Sequence, residues 1–266
     1  MEKQSLLFIG AGRMAEAIIG GLFRNRKEDL EAVYVSNTGN MERLYALKAK
    51  YPVHTSENWK ADAAKSDVIV LAMPPSAHEE VLQELSGVLS GQLVVTIAAG
   101  IGPSYLEERL PEKTPAAWIM PNTSAMIGKS MSLYAAGKAV NTEHREVLRM
   151  ILEAIGEYEE FTEEEVHLLT AVTGSAPAFL YYFAETLIEA AEKLGIEKEK
   201  AKKLVIQMIY GSSAMLHEEN NPEALRDQVT TPGGATAEGM KVLFRHNLAE
   251  IMKEAVEATN RKARGE

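Results

Sequence analysis

The chain has 266 residues, of which 46% are hydrophobic, and a formal net charge of −10. This length allows one large domain or two ordinary ones, and the acidic balance argues against nucleic acid or an anionic membrane surface as a general partner. Cysteine is absent, which excludes disulfides and thiolate catalysis. The apolar run before Gly10 is too short for a secretory signal and no longer run could span a bilayer, so we expect a soluble, cytoplasmic protein.

A dinucleotide-binding fingerprint lies close to the N-terminus. The apolar run 6–9 predicts a short strand, and an apolar helix is predicted after residue 15. Between them stand the residues expected to hold the dinucleotide, namely Gly10, Ala11, Gly12, Arg13, Met14 and Ala15. This G-x-G-x-x-A order gives a tight turn at the first glycine, close approach of a pyrophosphate at the second, and close packing of helix on strand at the alanine.

The second predicted strand, residues 32–35, ends without the acidic residue that normally holds the ribose of NAD. Ser36, Asn37 and Thr38 follow instead, and Arg43 comes in the next predicted helix. Neutral hydroxyl and amide groups beside an arginine suit a 2′-phosphate, so NADP(H) is the preferred cofactor and NAD(H) the alternative. A polar turn with an ordinary surface arginine is the competing interpretation.

Three further apolar runs, at 68–73, 93–97 and 116–120, predict buried parallel strands, with helices at about 40–50, 77–86 and 103–109. Alternating strands and helices predict an α/β fold with a Rossmann-type, doubly wound parallel sheet. Ligands of such sheets bind beyond the carboxyl ends of the strands. The residues expected at that edge are Ala72, Met73, Pro74, Ala98, Ala99, Gly100 and Asn122.

The pattern becomes almost wholly helical from about residue 161. We therefore predict a dinucleotide-binding domain over 1–160 and an all-helical domain over 161–266. Its helices are expected at about 163–172, 176–194, 197–218, 222–228, 236–245 and 247–262. The helix at 176–194 is apolar over much of its circumference, which predicts a homodimer built on these helices.

Two further features of the sequence are best interpreted as structural. Gly174 and Pro177 stand close together in an apolar helical stretch, which predicts a kink between two helices. The six histidines have no partners at metal-ligand spacing, so we expect no metal site and place each histidine at the surface or in a helix cap. The histidines are His54, His78, His144, His167, His217 and His246.

A turn near the C-terminus, Thr231–Thr236, opens onto the helix predicted at 236–245. Its adjacent glycines let the backbone approach a ligand, and the free N–H groups at the start of a helix suit an anion. We expect Thr236 to be the N-cap, with its hydroxyl available to a backbone N–H or a ligand. Taken alone, the turn is better interpreted as an ordinary capped helix start.

Three motifs favour a ligand site over an ordinary helix start, because their order and spacing resemble those of the pyrroline-5-carboxylate reductase family. They are Met120–Thr123, Gly174–Ala178 and Thr231–Thr236, and with the fingerprint the resemblance covers essentially the whole chain. It implies NAD(P)H-dependent reduction of 1-pyrroline-5-carboxylate to L-proline, the last step of proline biosynthesis, by a homodimer or a larger homo-oligomer. Reduction of another small cyclic imine, or a regulatory nucleotide-binding role, is the alternative.

The resemblance also implies roles for single residues. Asn58 joins residues 36–38 at the adenine ribose, residues 98–100 lie by the nicotinamide, and Thr236 is the catalytic residue. The residues expected to bind the substrate are Asn122, Thr231, Gly233, Gly234, Ala235 and Thr236. Three positions depart from the common family pattern: Pro74 stands for a lysine, Trp118 for an arginine and Ala176 for a glycine.

Overall fold

A computed structural model describes residues 2–263 of the chain. The described residues divide into two compact units, one comprising 2–175 with 260–263 and the other Ala176–Thr259. The first unit contains one eight-stranded sheet. Its strands are β1 (Gln4–Ile9), β2 (Leu30–Ser36), β3 (His54–Thr55), β4 (Val68–Leu71), β5 (Leu93–Thr96), β6 (Ala116–Met120), β7 (Ser130–Ala136) and β8 (Gly156–Glu160).

Twelve α-helices lie within residues 2–263. They are α1 (Arg13–Asn25), α2 (Met41–Lys50), α3 (Trp59–Ala63), α4 (His78–Ser86), α5 (Pro103–Glu107), α6 (Thr142–Glu153), α7 (Glu163–Thr170), α8 (Ala176–Lys193), α9 (Lys198–Glu219), α10 (Pro222–Gln228), α11 (Ala235–Arg245) and α12 (Leu248–Ala263). Short 3₁₀ helices occur at Lys27–Asp29, Pro75–Ala77 and Thr123–Ile127. None of the twelve is both long and apolar enough to cross a lipid bilayer.

The strand order is β3-β2-β1-β4-β5-β6-β7-β8, and β1 pairs in parallel with both β2 and β4. The order therefore reverses at β1, which is the topological switch point of a doubly wound sheet. The loops that follow β1, β2, β4 and β5 all leave the sheet at its carboxyl edge, where ligands of such folds bind.

Side chains that alternate along each strand fill two cores, one on each face of the sheet. Leu6 and Phe8 of β1 belong to a core shared with Ile18 and Ile19 of α1, and Leu7 belongs to the opposite core with the helices α3, α4 and α5. Helices on both faces explain why the parallel strands are continuously apolar in sequence. The predicted α/β class with a Rossmann-type sheet and a helical C-terminal region is confirmed.

The sheet is larger than predicted and not wholly parallel. Strand β7 runs antiparallel to β6, while β8 returns parallel to β7 after α6. None of these three elements was predicted. Strand β8 is exposed or half-buried throughout, so its sequence carries no apolar alternation. The kink predicted between Gly174 and Pro177 is a π-helical turn at Ala171–Ser175 that joins α7 directly to α8.

The unit Ala176–Thr259 is helical throughout and has almost no core of its own. No residue is buried in α8, α10, α11 or α12 within the described chain, and α9 buries only Ala201 and Val205. Large apolar side chains are instead exposed on these helices, including Tyr182 at 68% and Tyr210 at 71%. Residues 161–175 pack with the sheet unit, so the compact units divide about fifteen residues after the boundary predicted at 160. The division of function between a dinucleotide-binding domain and a substrate domain at 160 stays a prediction.

Candidate dinucleotide and substrate sites

The loop after β1 brings the fingerprint residues to the switch point of the sheet. Gly10 has φ +110°, a conformation that favours glycine, and its N–H donates to the Ser36 carbonyl at 2.8 Å. A Cβ at Gly10 would lie 2.6 Å from the carbonyl carbon and oxygen of Ala72. This glycine is therefore required by the close approach of the loops that follow β1 and β4.

Gly12 differs from Gly10, because no group of the protein excludes a side chain at this position. It is the N-cap of α1 with extended backbone (φ −68°, ψ 179°), and no side chain caps the helix there. A Cβ added at Gly12 would meet no atom within 4 Å. The first helical hydrogen bond of α1 runs from Glu16 N–H to the Gly12 carbonyl. Within residues 2–263 the N–H groups of Arg13, Met14 and Ala15 have no acceptor, as is usual in the first turn of a helix, and such groups suit an anion.

The loop after β2 lies beside the fingerprint loop at the same edge. Ser36 is buried, Thr38 is exposed, and the Asn37 amide donates to the Asn40 carbonyl at 3.3 Å. Asn58 comes from the neighbouring strand segment after β3 and caps α3 by accepting from Ala61 N–H at 3.3 Å. The structure therefore groups the predicted ribose residues along one edge, at the ends of β2 and β3.

Arg43 is neither a free surface residue nor an unengaged phosphate ligand. Its Nε donates to the Ala11 carbonyl at 2.7 Å, and its Nη2 bonds the Glu16 carboxylate and the Gly12 carbonyl. Lys50 donates to the same carboxylate at 2.8 Å. This hydrogen bond from Lys50, aided by Arg43, lowers the pKa of Glu16 despite its burial. Arg43 therefore braces the fingerprint loop while its side chain stays partly exposed.

The loops after β4 and β5 contain Met73, Pro74 and residues 98–100. Ala98 is buried, whereas Pro74, Ala99 and Gly100 are exposed at the edge. The expectation that His78 lies at the surface was wrong, because its side chain is fully buried, although the residue is the C-cap of the 3₁₀ helix Pro75–Ala77. Burial also lowers the pKa of His78, which keeps the ring neutral near neutral pH. His144 does form a capping box with Asn141, as predicted for a capping histidine.

A carboxylate from α7 holds the segment after Gly100. Glu163 accepts from the Ser104 N–H at 2.9 Å and from the Ser104 hydroxyl at 2.6 Å. Ser104 lies in the first turn of α5, where N–H groups lack helical partners, so Glu163 caps this helix from another element. A Cβ at Gly102 would overlap the Glu163 side chain, which explains the glycine there.

Asn122 uses its side chain to organise the loop after β6. Its Oδ1 accepts from Ser124 N–H at 3.0 Å, and its Nδ2 donates to the Thr173 carbonyl at 3.1 Å in the π-helical turn. Trp118, at the position where an arginine was expected, is fully buried and packs against His167 with ring centroids 4.7 Å apart. A buried tryptophan offers no charge to a cofactor phosphate.

The turn Thr231–Thr236 stands at the start of α11. Gly234 N–H donates to the Thr231 carbonyl at 2.9 Å, and Gly233 has φ +75°, which with Pro232 is the pattern of a type II turn. The prediction that Thr236 is the N-cap was wrong. Gly234 is the N-cap with an extended backbone, and no side chain caps α11, so the helix begins one residue earlier than expected.

Thr236 accordingly lies in the first turn of α11 and is exposed. In the described part of the chain its hydroxyl has no hydrogen-bond partner, and the N–H groups of Ala235, Thr236 and Ala237 have no acceptor. The turn thus presents a hydroxyl and several backbone donors together. This set of groups can bind a carboxylate and, beside it, a nitrogen or oxygen atom.

The contacts that support the predicted edge were not predicted, although Arg43 itself was named as a cofactor residue. Arg43–Glu16–Lys50, Glu163–Ser104 and the burial of His78 depend on contacts between residues far apart in sequence. One signal for His78 was available: it lies four and seven residues before Leu82 and Leu85, and all three are buried on one face of α4.

Two family models match separate segments of the chain. Residues 163–266 match the model for pyrroline-5-carboxylate reductase dimerisation, and residues 5–100 match the model for NADP oxidoreductase, coenzyme F420-dependent. Pyrroline-5-carboxylate reductase 1 of Bacillus subtilis is 32% identical over 265 residues, covering 99% of this chain and 89% of that protein.

Two solved structures superimpose on nearly the whole chain. The pyrroline-5-carboxylate reductase of Coxiella burnetii is 31% identical with a TM-score of 0.90, covering 99% of this chain and 98% of the other. The pyrroline carboxylate reductase of Plasmodium falciparum, solved with NADP bound, is 29% identical with a TM-score of 0.87, covering 100% and 98%.

Proposed function

The chain belongs to the pyrroline-5-carboxylate reductase family, and on that premise we propose that it transfers a hydride from NADPH to the C=N bond of 1-pyrroline-5-carboxylate, giving L-proline. It is an NAD(P)H-dependent oxidoreductase of proline biosynthesis. The observation that carries this function is the similarity of the whole chain to these reductases, from the fingerprint at Gly10 to the turn at Thr236. Reduction of a different imine is not favoured.

The residues at the sheet edge fit NADP(H). The space above Gly12 and the unbonded N–H groups of Arg13, Met14 and Ala15 suit the pyrophosphate. At the end of β2 the chain has Ser36 where an NAD-binding protein has an acidic residue, and Arg43 lies in the next helix. This arrangement suits a 2′-phosphate on the ribose. When bound, the nicotinamide supplies the hydride. The protein's contribution is to orient the dinucleotide and to keep its loops rigid.

The turn at the start of α11 supplies the groups that a cyclic imino acid requires. The N–H groups of Gly233 and Ala235, which have no acceptor within residues 2–263, can hold the carboxylate of the substrate, and the positive end of the helix also favours it. The Thr236 hydroxyl can bond the imine nitrogen and hold its proton. A protonated imine is already electrophilic, so positioning supplies most of the rate without a strong acid or base.

An initial-rate assay tests this function. Purified protein is mixed with NADPH or NADH and 1-pyrroline-5-carboxylate, and cofactor oxidation is followed by absorbance together with proline formation. We expect oxidation that depends on the imine and is faster with NADPH. Tight NADPH binding without turnover of any cyclic imine would overturn the proposal.

The position of Arg43 leads to a prediction about cofactor choice. We expect Arg43→Gln to raise the Kd for NADPH about 10- to 100-fold, because a charge-assisted hydrogen bond contributes about 1.5–3 kcal/mol. The Kd for NADH should change less, since NADH carries no 2′-phosphate. Lys50→Gln is the matched control, because Lys50 bonds the same Glu16 carboxylate without contacting the fingerprint loop. Equal losses for both cofactors would show that Arg43 acts only by bracing Ala11.

The exposed apolar helices of the second unit support a homodimer. A residue such as Tyr182, which lies on a helix without buried residues, is stabilised only when another surface covers it. The match of residues 163–266 to the family's dimerisation model points to a second copy of the chain. Association of dimers into a larger ring is a further proposal.

We expect the protein to sediment as a dimer or a multiple of it, and Tyr182→Glu to shift it toward monomer, because the charge would be buried without a partner. Tyr45→Glu is the matched control: Tyr45 is also exposed, at 61%, but lies on α2 of the sheet unit. Sedimentation velocity at micromolar concentration measures both. A wild-type protein that sediments as a monomer would contradict the dimer.

A further inference from the structure

The loops that follow β4 and β5 are connected by side chains after their backbone pairing ends. The ladder between these strands stops at Leu71 opposite Thr96, and the last bond of this pair runs from Ile97 N–H to the Leu71 carbonyl at 3.1 Å. Beyond that bond the two strands lead into the separate loops that contain Pro74 and Ala98. These two loops are the ones expected to line the dinucleotide, so their spacing matters for cofactor binding.

A chain of hydrogen bonds crosses the space between the two loops. His78 Nδ1 lies 3.1 Å from the Pro74 carbonyl, and His78 Nε2 lies 3.0 Å from the Thr96 hydroxyl. The Thr96 hydroxyl also accepts from Ala98 N–H at 3.2 Å. His78 and Thr96 are both fully buried. We call this chain, from the Pro74 carbonyl through His78 and Thr96 to Ala98, the loop relay.

When the His78 ring is neutral, the chemistry of the partners fixes the direction of every bond in the loop relay. A carbonyl can only accept, so Nδ1 of His78 must carry the proton. The neutral ring then has a lone pair at Nε2, which accepts from the Thr96 hydroxyl. The threonine oxygen remains free to accept from Ala98 N–H. Every bond of this buried chain thus has one donor and one acceptor, which makes one geometry of the loops preferred.

We propose that His78 is a positioning residue for the cofactor, because the loop relay sets the distance between the loops at Pro74 and Ala98. This inference rests on the proposed function, since it assumes that both loops line NADPH. The relay also constrains the fingerprint, because Gly10 packs directly against the backbone of Ala72. His78 touches no reacting atom and acts through the loops.

The hydroxyl of Thr96 offers a matched pair of variants. Thr96→Val keeps the shape but removes the bonds to His78 and Ala98, whereas Thr96→Ser keeps the hydroxyl. We expect Thr96→Val to raise the Kd for NADPH about tenfold and to lower kcat about as much, because small displacements of a bound reactant are costly. Thr96→Ser should stay within about twofold of wild type, because the bond is retained. Fluorescence titration measures the Kd without substrate.

Thermal unfolding separates positioning from simple support of the core. If Thr96→Val lowers Tm while the Kd and kcat stay at wild-type values, the loop relay has no role in cofactor positioning and the inference is overturned. The proposed function is judged separately: wild-type protein that binds NADPH but does not reduce 1-pyrroline-5-carboxylate overturns the function, while the Kd comparison still decides the relay.

A second measurement needs no variant. Nitrogen-15 NMR of histidine-labelled wild-type protein reports which ring nitrogen carries the proton. The loop relay requires His78 to be neutral and protonated at Nδ1 at about neutral pH, the opposite of the tautomer favoured by free histidine. A His78 ring protonated at Nε2, or charged, would overturn the relay even if the Thr96→Val protein fails to fold.

Discussion

Replacing Thr236 with alanine is expected to lower kcat about 10- to 100-fold while leaving the Kd for NADPH unchanged. The hydroxyl has no partner in residues 2–263, so its removal breaks no bond of the free protein. A hydrogen bond to a charged group contributes about 1.5–3 kcal/mol, which corresponds to this range of rates if the bond forms to the protonated imine. Steady-state kinetics with both reactants varied, together with an NADPH titration, measures the two effects separately.

Thr236→Ser is the matched control, because it keeps the hydroxyl at the same place in the first turn of α11. It should retain most of the activity, and the unfolding temperature of both variants should match that of wild type, since the side chain is exposed. A Thr236→Ala protein with full kcat would remove the residue from the reaction. Weaker NADPH binding in that variant would show that the turn has another role.

Alanine at Gly10 and alanine at Gly12 are expected to have very different consequences for folding. At Gly10 the new Cβ would lie 2.6 Å from Ala72 backbone atoms in a residue with φ +110°, so we expect about 2–4 kcal/mol of destabilisation. At Gly12 the φ of −68° suits alanine and no atom lies within 4 Å. That variant should stay within about 1 kcal/mol of wild type, because alanine restricts the unfolded chain but is a poorer N-cap than glycine.

For NADPH binding, in contrast to folding, we expect Gly12→Ala to have a large effect. In Gly12→Ala the methyl group occupies the space through which a pyrophosphate would approach α1, and we expect the Kd for NADPH to rise about a hundredfold, equivalent to about 2.8 kcal/mol. Urea unfolding and NADPH titration on the same preparations measure both effects. A Gly12→Ala protein that binds NADPH normally would place the pyrophosphate elsewhere.

The strands that form the centre of the sheet could be predicted because they are buried on both faces. Val68–Leu71 and Leu93–Thr96 are continuous apolar runs, which are typical of parallel strands covered by helices on each side. Strand β7 was missed because its inward positions include Ser130 and Ser132. Their hydroxyls lie 3.0 Å apart, and Ser130 also accepts from Asn122 N–H. Buried serines paired in this way cannot be distinguished in sequence from a polar loop.

The candidate sites also contain features that the sequence predicts and features that it does not. The fingerprint and the glycine turn depend on local backbone requirements, which are written in neighbouring residues. The support around them is not local: the Glu163 carboxylate reaches Ser104, 59 positions away, and Arg43 reaches Ala11, 32 positions away. The error at Thr236 was local and small. Threonine is a good N-cap, but Gly234 already adopts the extended conformation that starts the helix.

The scarcity of buried residues in Ala176–Thr259 has a consequence for how the chain matures in the cell. The sheet unit buries its own core, whereas the helices that follow leave their apolar side chains exposed to water until they pack against a second chain. Folding is then completed by an encounter between molecules, and the melting temperature rises with protein concentration. An inactive copy produced beside an active one would therefore enter its dimers.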